Sequence, residues 1–155
     1  MLRIYLDTSI FGGVFDSEFE KPSKEFIRLV NLGIYSIVIS DVVQRELKNA
    51  PPEVRELHEK LVSIADLVVT DRESLQLRDE YIQACVVTEK WRDDALHVAL
   101  ATVNACDLIV SWNFRHIVHF QKIHAYNEVN AKNGYDKIGI HSPLEVMGYE
   151  AEEEI

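Results

Sequence analysis

The fold is decided by the N-terminal stretch Leu-Arg-Ile-Tyr-Leu-Asp-Thr-Ser-Ile at positions 2–10. Its apolar run ends abruptly at Asp7, where the sequence turns polar, and this pattern indicates a buried strand with a carboxylate at its carboxyl end. In open α/β sheets ligands bind at that edge. We therefore expect a site built around Asp7, although an aspartate in this position can also simply cap the next helix.

Downstream of this strand, further apolar strands alternate with helical patterns. Strands are predicted at 35–39, 67–69 and 107–113, with a short last one at 138–140, and the segment 12–22 is a mobile loop or a short helix. Helices are predicted from Ser23 to Gly33, from Asp41 to Pro51 with Ser40-Asp41 as its N-cap, and over 53–64, 71–87, 93–103 and 116–130. This alternation indicates an α/β domain with right-handed βαβ units and a mainly parallel sheet.

Composition fits one soluble domain without a broad basic face. The chain has 155 residues and a formal charge of −10, so it is of single-domain length, and we assign the domain to 1–149 and an acidic, frayed tail to 150–155. Such a charge argues against binding nucleic acid over a wide surface, but not against a small acidic site that recruits cations. Cys85 and Cys106 form no C-x-x-C pair, and no leader or bilayer-spanning run is visible, which predicts a cytoplasmic protein with no membrane contact.

Four polar residues are expected to face one end of the sheet. Asp7 closes the first strand, Glu46 lies on the helix after the second, Asp94 opens an Ala-rich helix, and Asn113 follows the fourth strand. Three converging carboxylates raise one another's pKa values, so a bound cation is the natural resolution. Hard divalent ions prefer carboxylate oxygens and retained water, which predicts a magnesium-type site.

Each of these positions also has a plainer interpretation. Asp93 can replace its neighbour as the acidic residue, and Asn is common in turns after strands. Glu46 can be an exposed helix acid paired with Arg45 or Lys48. These alternatives stay open. Asp94 is favoured over Asp93, because the Ala-Leu-His-Val-Ala run follows Asp94 directly and sets the helical phase.

Several other residues near these acids have structural and functional interpretations. His97 lies three positions after Asp94 on the same helical side and can touch the site, but a hydrogen-bonded packing histidine is the favoured interpretation. Trp112 and Phe114 can stack on bases, but core packing is favoured. His116 and His119 share a face without a third clustered soft ligand, so a transition-metal site is not expected. Local cationic contacts to RNA can come from five residues that the sequence does not rank: Arg3, Arg45, Lys48, Arg92 and Arg115.

Four segments together resemble the PIN-domain family, in particular its prokaryotic toxin members of the VapC type. They are Leu-Asp-Thr-Ser-Ile at 6–10, Ser-Asp-Val-Val-Gln-Arg-Glu-Leu at 40–47, Asp-Ala-Leu-His-Val-Ala-Leu-Ala at 94–101 and Asp-Leu-Ile-Val-Ser-Trp-Asn-Phe-Arg-His-Ile at 107–117. The resemblance covers nearly the whole chain, and its strength lies in the order and spacing of the four segments.

The resemblance implies a three-layer α/β/α domain with four to five strands and Mg²⁺- or Mn²⁺-dependent endoribonuclease activity. Asp7, Glu46 and Asp94 match the acidic metal-binding positions, while Asn113 falls where many members have a fourth acid. Ser9 matches a polar position beside the first acid. The family also implies an RNA substrate, a homodimer and a small antitoxin partner that inhibits the toxin.

Three other classes fit the residues less well. A haloacid-dehalogenase-like phosphatase needs a second aspartate where Ser9 stands, and a receiver domain needs an acidic pair before the first strand's aspartate. A catalytically silent PIN-like scaffold that binds RNA or protein is the remaining alternative, and measured cleavage would exclude it.

Overall fold

The computed structural model describes the backbone of residues 1–153 and the side chains of residues 1–148. The strands are β1 (Arg3–Leu6), β2 (Ser36–Ser40), β3 (Asp66–Val68), β4 (Leu108–Val110) and β5 (Gly139–His141). The helices are α1 (Ser9–Gly13), α2 (Glu20–Asn31), α3 (Asp41–Glu46), α4 (Pro52–Val62), α5 (Arg72–Gln83), α6 (Arg92–Val103), α7 (Phe120–Lys132) and α8 (Pro143–Glu153), with a 3₁₀ turn at Glu89–Trp91.

The five strands form one sheet in the order β3-β2-β1-β4-β5, and every neighbouring pair is parallel. The predicted α/β class is confirmed, and the sheet is entirely rather than mainly parallel. The chain builds β1, β2 and β3 outward in one direction and then returns to place β4 on the other side of β1. The point where the strand order reverses therefore lies between β1 and β4, where open α/β sheets form their ligand crevice.

Helices cover both faces of the sheet and create two cores. Tyr5 of β1 packs in the core beneath α5, α6 and α7, whereas Ile4 and Leu6 pack in the core beneath α1, α2 and α4. Adjacent residues of a strand point to opposite faces, and both faces are buried here. This explains why β1 reads as a continuous apolar run rather than an alternating one.

Helix boundaries differ from the sequence prediction where local backbone geometry ends or delays a helix. The helix predicted over 71–87 stops at Gln83, because Cys85 has a φ of 61° and the Val86 N–H bonds the Tyr81 carbonyl at 3.0 Å. The helix predicted from residue 116 starts only at Phe120, after the extended His119. The segment 12–22 contains the end of α1, a set of turns and the start of α2.

The C-terminal part of the chain continues in α8, whose backbone includes residues 150–153 of the predicted acidic tail. Residues 154 and 155 of that tail lie outside the described residues, and the division at residue 149 stays a prediction. None of the described helices is long and apolar enough to cross a bilayer.

Candidate active site

Asp7 lies directly after β1 at the carboxyl edge of the sheet, beside the end of β4. Its backbone N–H donates to the Val110 carbonyl at 3.1 Å, which extends the pairing of the two strands by one bond. The side chain is 4% exposed, and its Oδ2 accepts hydrogen bonds of 2.7 Å from the hydroxyls of Ser9 and Ser111. The family resemblance placed a polar residue beside this acid at Ser9, and in the structure Ser9 is hydrogen-bonded to Asp7.

Two serines thus hold the Asp7 carboxylate in one orientation. Ser111, which is fully buried, also accepts the Asn113 N–H at 2.9 Å, and Ser9 accepts the Trp112 N–H at the same distance. The loop after β4 is therefore tied to the loop after β1 through the two hydroxyls that bind the acid. Hydrogen bonds to an ionised group are about twice as strong as neutral ones, so this network fixes the acid as well as the loops.

His97 of α6 lies at the centre of the polar cluster and is 1% exposed. Its Nε2 lies 2.5 Å from Oε1 of Glu46 and 3.5 Å from Oδ1 of Asp7, and its Nδ1 lies 2.7 Å from the Tyr5 hydroxyl. Because a carboxylate only accepts, Nε2 carries the proton donated to Glu46. The favoured interpretation of His97 as a hydrogen-bonded packing residue is confirmed, and the ring also contacts two of the predicted site acids.

Glu46 ends α3, and its Oε1 also accepts the Thr8 hydroxyl at 2.9 Å. Burial acts to raise the pKa of Glu46, but the hydrogen bond and charge of His97 and the hydrogen bond from Thr8 lower it below its ordinary value. Burial likewise opposes protonation of His97, yet the charges of Asp7 and Glu46 raise its pKa. Both shifts favour an ion pair between Glu46 and His97.

Asp93 and Asp94, the two adjacent acids at the start of α6, have different environments. Asp93 has a side chain 49% exposed and forms an ion pair with Arg45 at 3.1 Å. Burial raises the pKa of Asp94 to about 6, helped by the charge of Asp7 and opposed by His97 and by a hydrogen bond from the Asn113 side chain. Asp94 is thus the acid that is electrostatically coupled to Asp7.

Asn113 has a structural role in its loop as well as its contact with Asp94. Its side-chain oxygen accepts the backbone N–H groups of Arg115 at 3.2 Å and His116 at 2.9 Å. This is the turn-forming arrangement expected for Asn after a strand. The amide nitrogen can still donate to Asp94, so the two interpretations of Asn113 are compatible.

The side chain of Ser40 does not cap α3 as the sequence predicted. Ser40 occupies the N-cap position of α3 but makes no side-chain capping bond. Its hydroxyl instead lies 2.7 Å from the Tyr5 hydroxyl, which contacts His97. A chain of hydrogen bonds therefore runs from the end of β2 through β1 to α6 and Glu46.

A cleft of about 570 Å³ opens beside the acids. Glu46, Asp93 and Asp94 line one side, and the remaining lining residues are Lys90, Trp91, Trp112, Asn113, Phe114, Arg115 and His116. This volume is in the range of small-ligand sites. A larger groove of about 750 Å³ lies elsewhere, between α3, α4 and β3, and contains none of the predicted site residues.

The arginines and lysine proposed to contact RNA now fall into separate groups. Arg3 is paired with Asp66 at 2.7 Å at the amino edge of the sheet. This edge is opposite Asp7, so Arg3 is too far from the site to contact RNA bound there. Lys48 lines the larger groove, and Arg92 pairs with Glu89 at 3.2 Å. Arg115 lines the cleft beside Asp94.

The donor chemistry of the site fits a hard divalent ion, with few protein ligands. Among the described residues, no group of three or more His, Cys, Asp or Glu side chains could hold a metal ion. Mg²⁺ is commonly held by one or two carboxylates together with waters and substrate phosphates. Burial is the main cause of the raised pKa of Asp94, and the negative charge of Asp7 adds to it; a bound cation would relieve that charge repulsion. The three-carboxylate ligand set expected by resemblance stays a prediction.

The sequence reasoning did not single out Tyr5, Thr8 or Ser111, although all three contact the predicted acids or His97. Thr8 and Ser111 share one available signal, because each is a hydroxyl residue within two positions of the end of a buried apolar strand. Tyr5 carried no such signal, since its position inside β1 is that of any core aromatic residue.

Comparison with known proteins supports the fold. Neither a protein-family model nor a curated protein matches the sequence. Fourteen chains of solved structures match the structure. One belongs to the crystal structure of VapBC2 from Rickettsia felis bound to a DNA fragment from their promoter. The TM-score is 0.55 at 16% identity, over 74% of this chain and 90% of that chain. The likeness at this identity is one of fold, and the five-stranded parallel sheet flanked by helices is consistent with a PIN-like fold.

Proposed function

We propose that this protein is a metal-dependent endoribonuclease that hydrolyses RNA phosphodiester bonds. The observation that carries the proposal is the meeting of Asp7, Glu46 and Asp94 around His97, at the carboxyl edge of the sheet and at its switch point. Acids brought from three different parts of the chain to one polar cluster, two of them at a cleft, are difficult to explain as helix caps. Their mutual repulsion costs stability, which is typical of a functional site.

Mg²⁺ or Mn²⁺, held by Asp7 and Asp94 directly or through water, would lower the pKa of a bound water and neutralise charge on the phosphate. Asp7 is oriented for this role by Ser9 and Ser111. Glu46, whose Oε1 is fixed by Thr8 and His97, would accept a hydrogen bond from the attacking water with its other oxygen.

Tyr5 and His97 act as positioning residues in this proposal. The buried Tyr5 hydroxyl contacts His97 Nδ1, and the opposite ring nitrogen donates to Glu46. This fixes the ring and directs one oxygen of Glu46 toward the ring and Thr8. His97 would therefore affect cleavage through the orientation of Glu46.

We further propose a toxin role, with a cognate antitoxin that covers the acidic cleft and a homodimeric, cytoplasmic toxin. Support comes from the fold likeness to a chain of VapBC2, whose structure contains paired proteins on promoter DNA, together with the four segments quoted above. Purification with the product of a neighbouring small open reading frame would test this part separately.

The test of the nuclease is cleavage of structured and single-stranded RNAs after chelation and re-addition of Mg²⁺ or Mn²⁺. Asp7→Asn and Asp94→Asn should both abolish cleavage while the far-ultraviolet circular dichroism stays unchanged. Asp93→Asn is the matched control, because it removes the adjacent charge on the same helix but outside the buried cluster. This variant should cleave like the wild type.

Cleavage that survives Asp7→Asn, or that is lost equally in Asp93→Asn, would contradict the assignment. A folded wild-type protein that binds the ion and cleaves no RNA would instead favour the catalytically silent PIN-like scaffold.

A further inference from the structure

The aromatic residues of the cleft are not equivalent. Trp112 is 6% exposed, stacks on Phe19 with ring centroids 4.4 Å apart, and donates from Nε1 to Ser23 at 2.9 Å. Phe114, two positions later, is 47% exposed. From the sequence, both residues had the same two interpretations, base stacking or core packing. In the structure Trp112 lies in the core and Phe114 lies at the rim of the cleft.

Phe114 is held at this rim without being covered. Its ring lies 6.1 Å from Trp112 and 6.3 Å from Phe19, in tilted or edge-on arrangements, and no stacked partner occurs among the described rings. Trp91, by contrast, stacks on His116 at 4.2 Å and has Lys90 Nζ 5.1 Å from its centroid. Phe114 is therefore the cleft aromatic whose ring is most available to a ligand.

Two cationic residues line the same cleft as Phe114. Lys90 and Arg115 both line the cleft, and neither forms an ion pair with any residue whose side chain is described. The nearby Arg45 and Arg92 are each paired with an acid. In a chain of formal charge −10, two unpaired cations beside acidic residues are suited to phosphate groups.

We propose that Phe114 is a stacking platform for an unpaired base of the RNA, with Lys90 and Arg115 contacting the phosphates on either side of it. This inference rests on the proposed function and specifies its substrate as single-stranded RNA or a loop. A base inside a duplex is stacked on its neighbours and cannot reach the ring, whereas an unpaired base stacks readily on an aromatic side chain.

The test measures binding rather than cleavage, so that its failure is distinct from failure of the nuclease. Fluorescence anisotropy in Mg²⁺ would compare a labelled single-stranded RNA with a duplex of the same composition, in the Asp7→Asn background. Single-stranded RNA should bind more tightly, and Phe114→Ala should weaken that binding about fivefold or more while Phe114→Trp retains it. Phe114→Leu keeps apolar contact with Trp112 and should also weaken binding, which separates stacking from packing.

Matched controls lie at the opposite edge of the sheet. Leu32, 62% exposed after α2, and Lys137, exposed before β5, are remote from the cleft in the topology. Leu32→Ala should leave the affinity unchanged. Lys90→Gln and Arg115→Gln should each lower the slope of the logarithm of affinity against the logarithm of salt concentration by about one, which corresponds to one lost phosphate contact. Lys137→Gln should leave this slope unchanged.

Equal affinities for Phe114→Ala and Leu32→Ala would overturn the platform, as would duplex binding at least as tight as single-stranded binding. Unchanged RNA affinity combined with loss of a co-purifying protein in Phe114→Ala would assign the rim to a protein partner and equally overturn the proposal.

Discussion

Replacing Asp94 with Asn should stabilise the metal-free protein at neutral pH. The pKa of Asp94 is about 6 in the folded protein against an ordinary value of 3.8, first because of burial and then because of the Asp7 charge. The folded state therefore disfavours the ionised carboxylate. Between about pH 4 and pH 6 the unfolded chain loses this proton before the folded protein does, so stability falls as pH rises through this window.

The magnitude follows from the size of the shift. Two pKa units correspond to about 3 kcal/mol at 1.36 kcal/mol per unit. Since Asp94 is only partly buried and water screens its charge, we expect Asp94→Asn to raise the free energy of unfolding by about 1–2 kcal/mol. The gain should be nearly complete at about pH 7 and small near pH 4, where Asp94 is protonated in the folded state and only about half ionised in the unfolded state.

Urea unfolding in a chelator, at about pH 4 and about pH 7.5, measures this gain. Asp93→Asn is the control, because its exposed pair with Arg45 should contribute at most about 1 kcal/mol. Mg²⁺ should then stabilise the wild type more than Asp94→Asn, because binding to the folded state adds to its stability. A gain that is equal in Asp93→Asn, or independent of pH, would refute the raised pKa of Asp94 on which this prediction depends.

Three further substitutions test the supports of the site by equilibrium unfolding. Ser111→Ala should lower the free energy of unfolding by about 1.5–3 kcal/mol, because a buried hydrogen bond to a carboxylate is lost. The loss should be smaller in an Asp7→Asn background, where the hydrogen bond is between neutral groups, and a double-mutant cycle that shows no coupling would contradict this. Gly13→Ala should destabilise by about 1–3 kcal/mol in a chemical melt, since its Cβ would lie 2.7 Å from Trp112 Nε1, and an unchanged midpoint would show that the ring can move. Ala105→Gly should raise the melting temperature through a gain of about 1 kcal/mol, because φ is 56° at this helix end, and a lower melting temperature would rule out strain there.

Much of the fold was predictable because it depends on local patterns. β1 and β2 are buried on both faces, so they appear in the sequence as unbroken apolar runs, and each is followed by polar residues where the strand leaves the core. The start of α6 was predictable from its acids and its Ala-rich composition. Boundaries failed where one residue controls the backbone, as at Cys85, whose positive φ gives no sequence signal.

The contacts of His97 with the acids could not be predicted in the same way. Its spacing from Asp94 places the two residues on one side of α6, and that part is visible in the sequence. Whether the side chain contacts apolar residues or acids depends on how α6 crosses β1 and where α3 ends. The contacts of His97 with Tyr5 and Glu46 are separated by 92 and 51 positions along the chain.

The sequence by itself determined the strand end at which Asp7 stands, because the loss of hydrophobicity at a strand's end is a local property; the fourth strand, predicted to reach residue 113, ends at Val110. Only the tertiary structure decided that β4 lies beside β1, that Asp94 rather than Asp93 is coupled to Asp7, and that Phe114 is exposed where Trp112 is buried. Strand order and side-chain direction follow from packing helices on both faces of one twisted sheet. That packing depends on contacts between residues far apart in the chain, which no local pattern records.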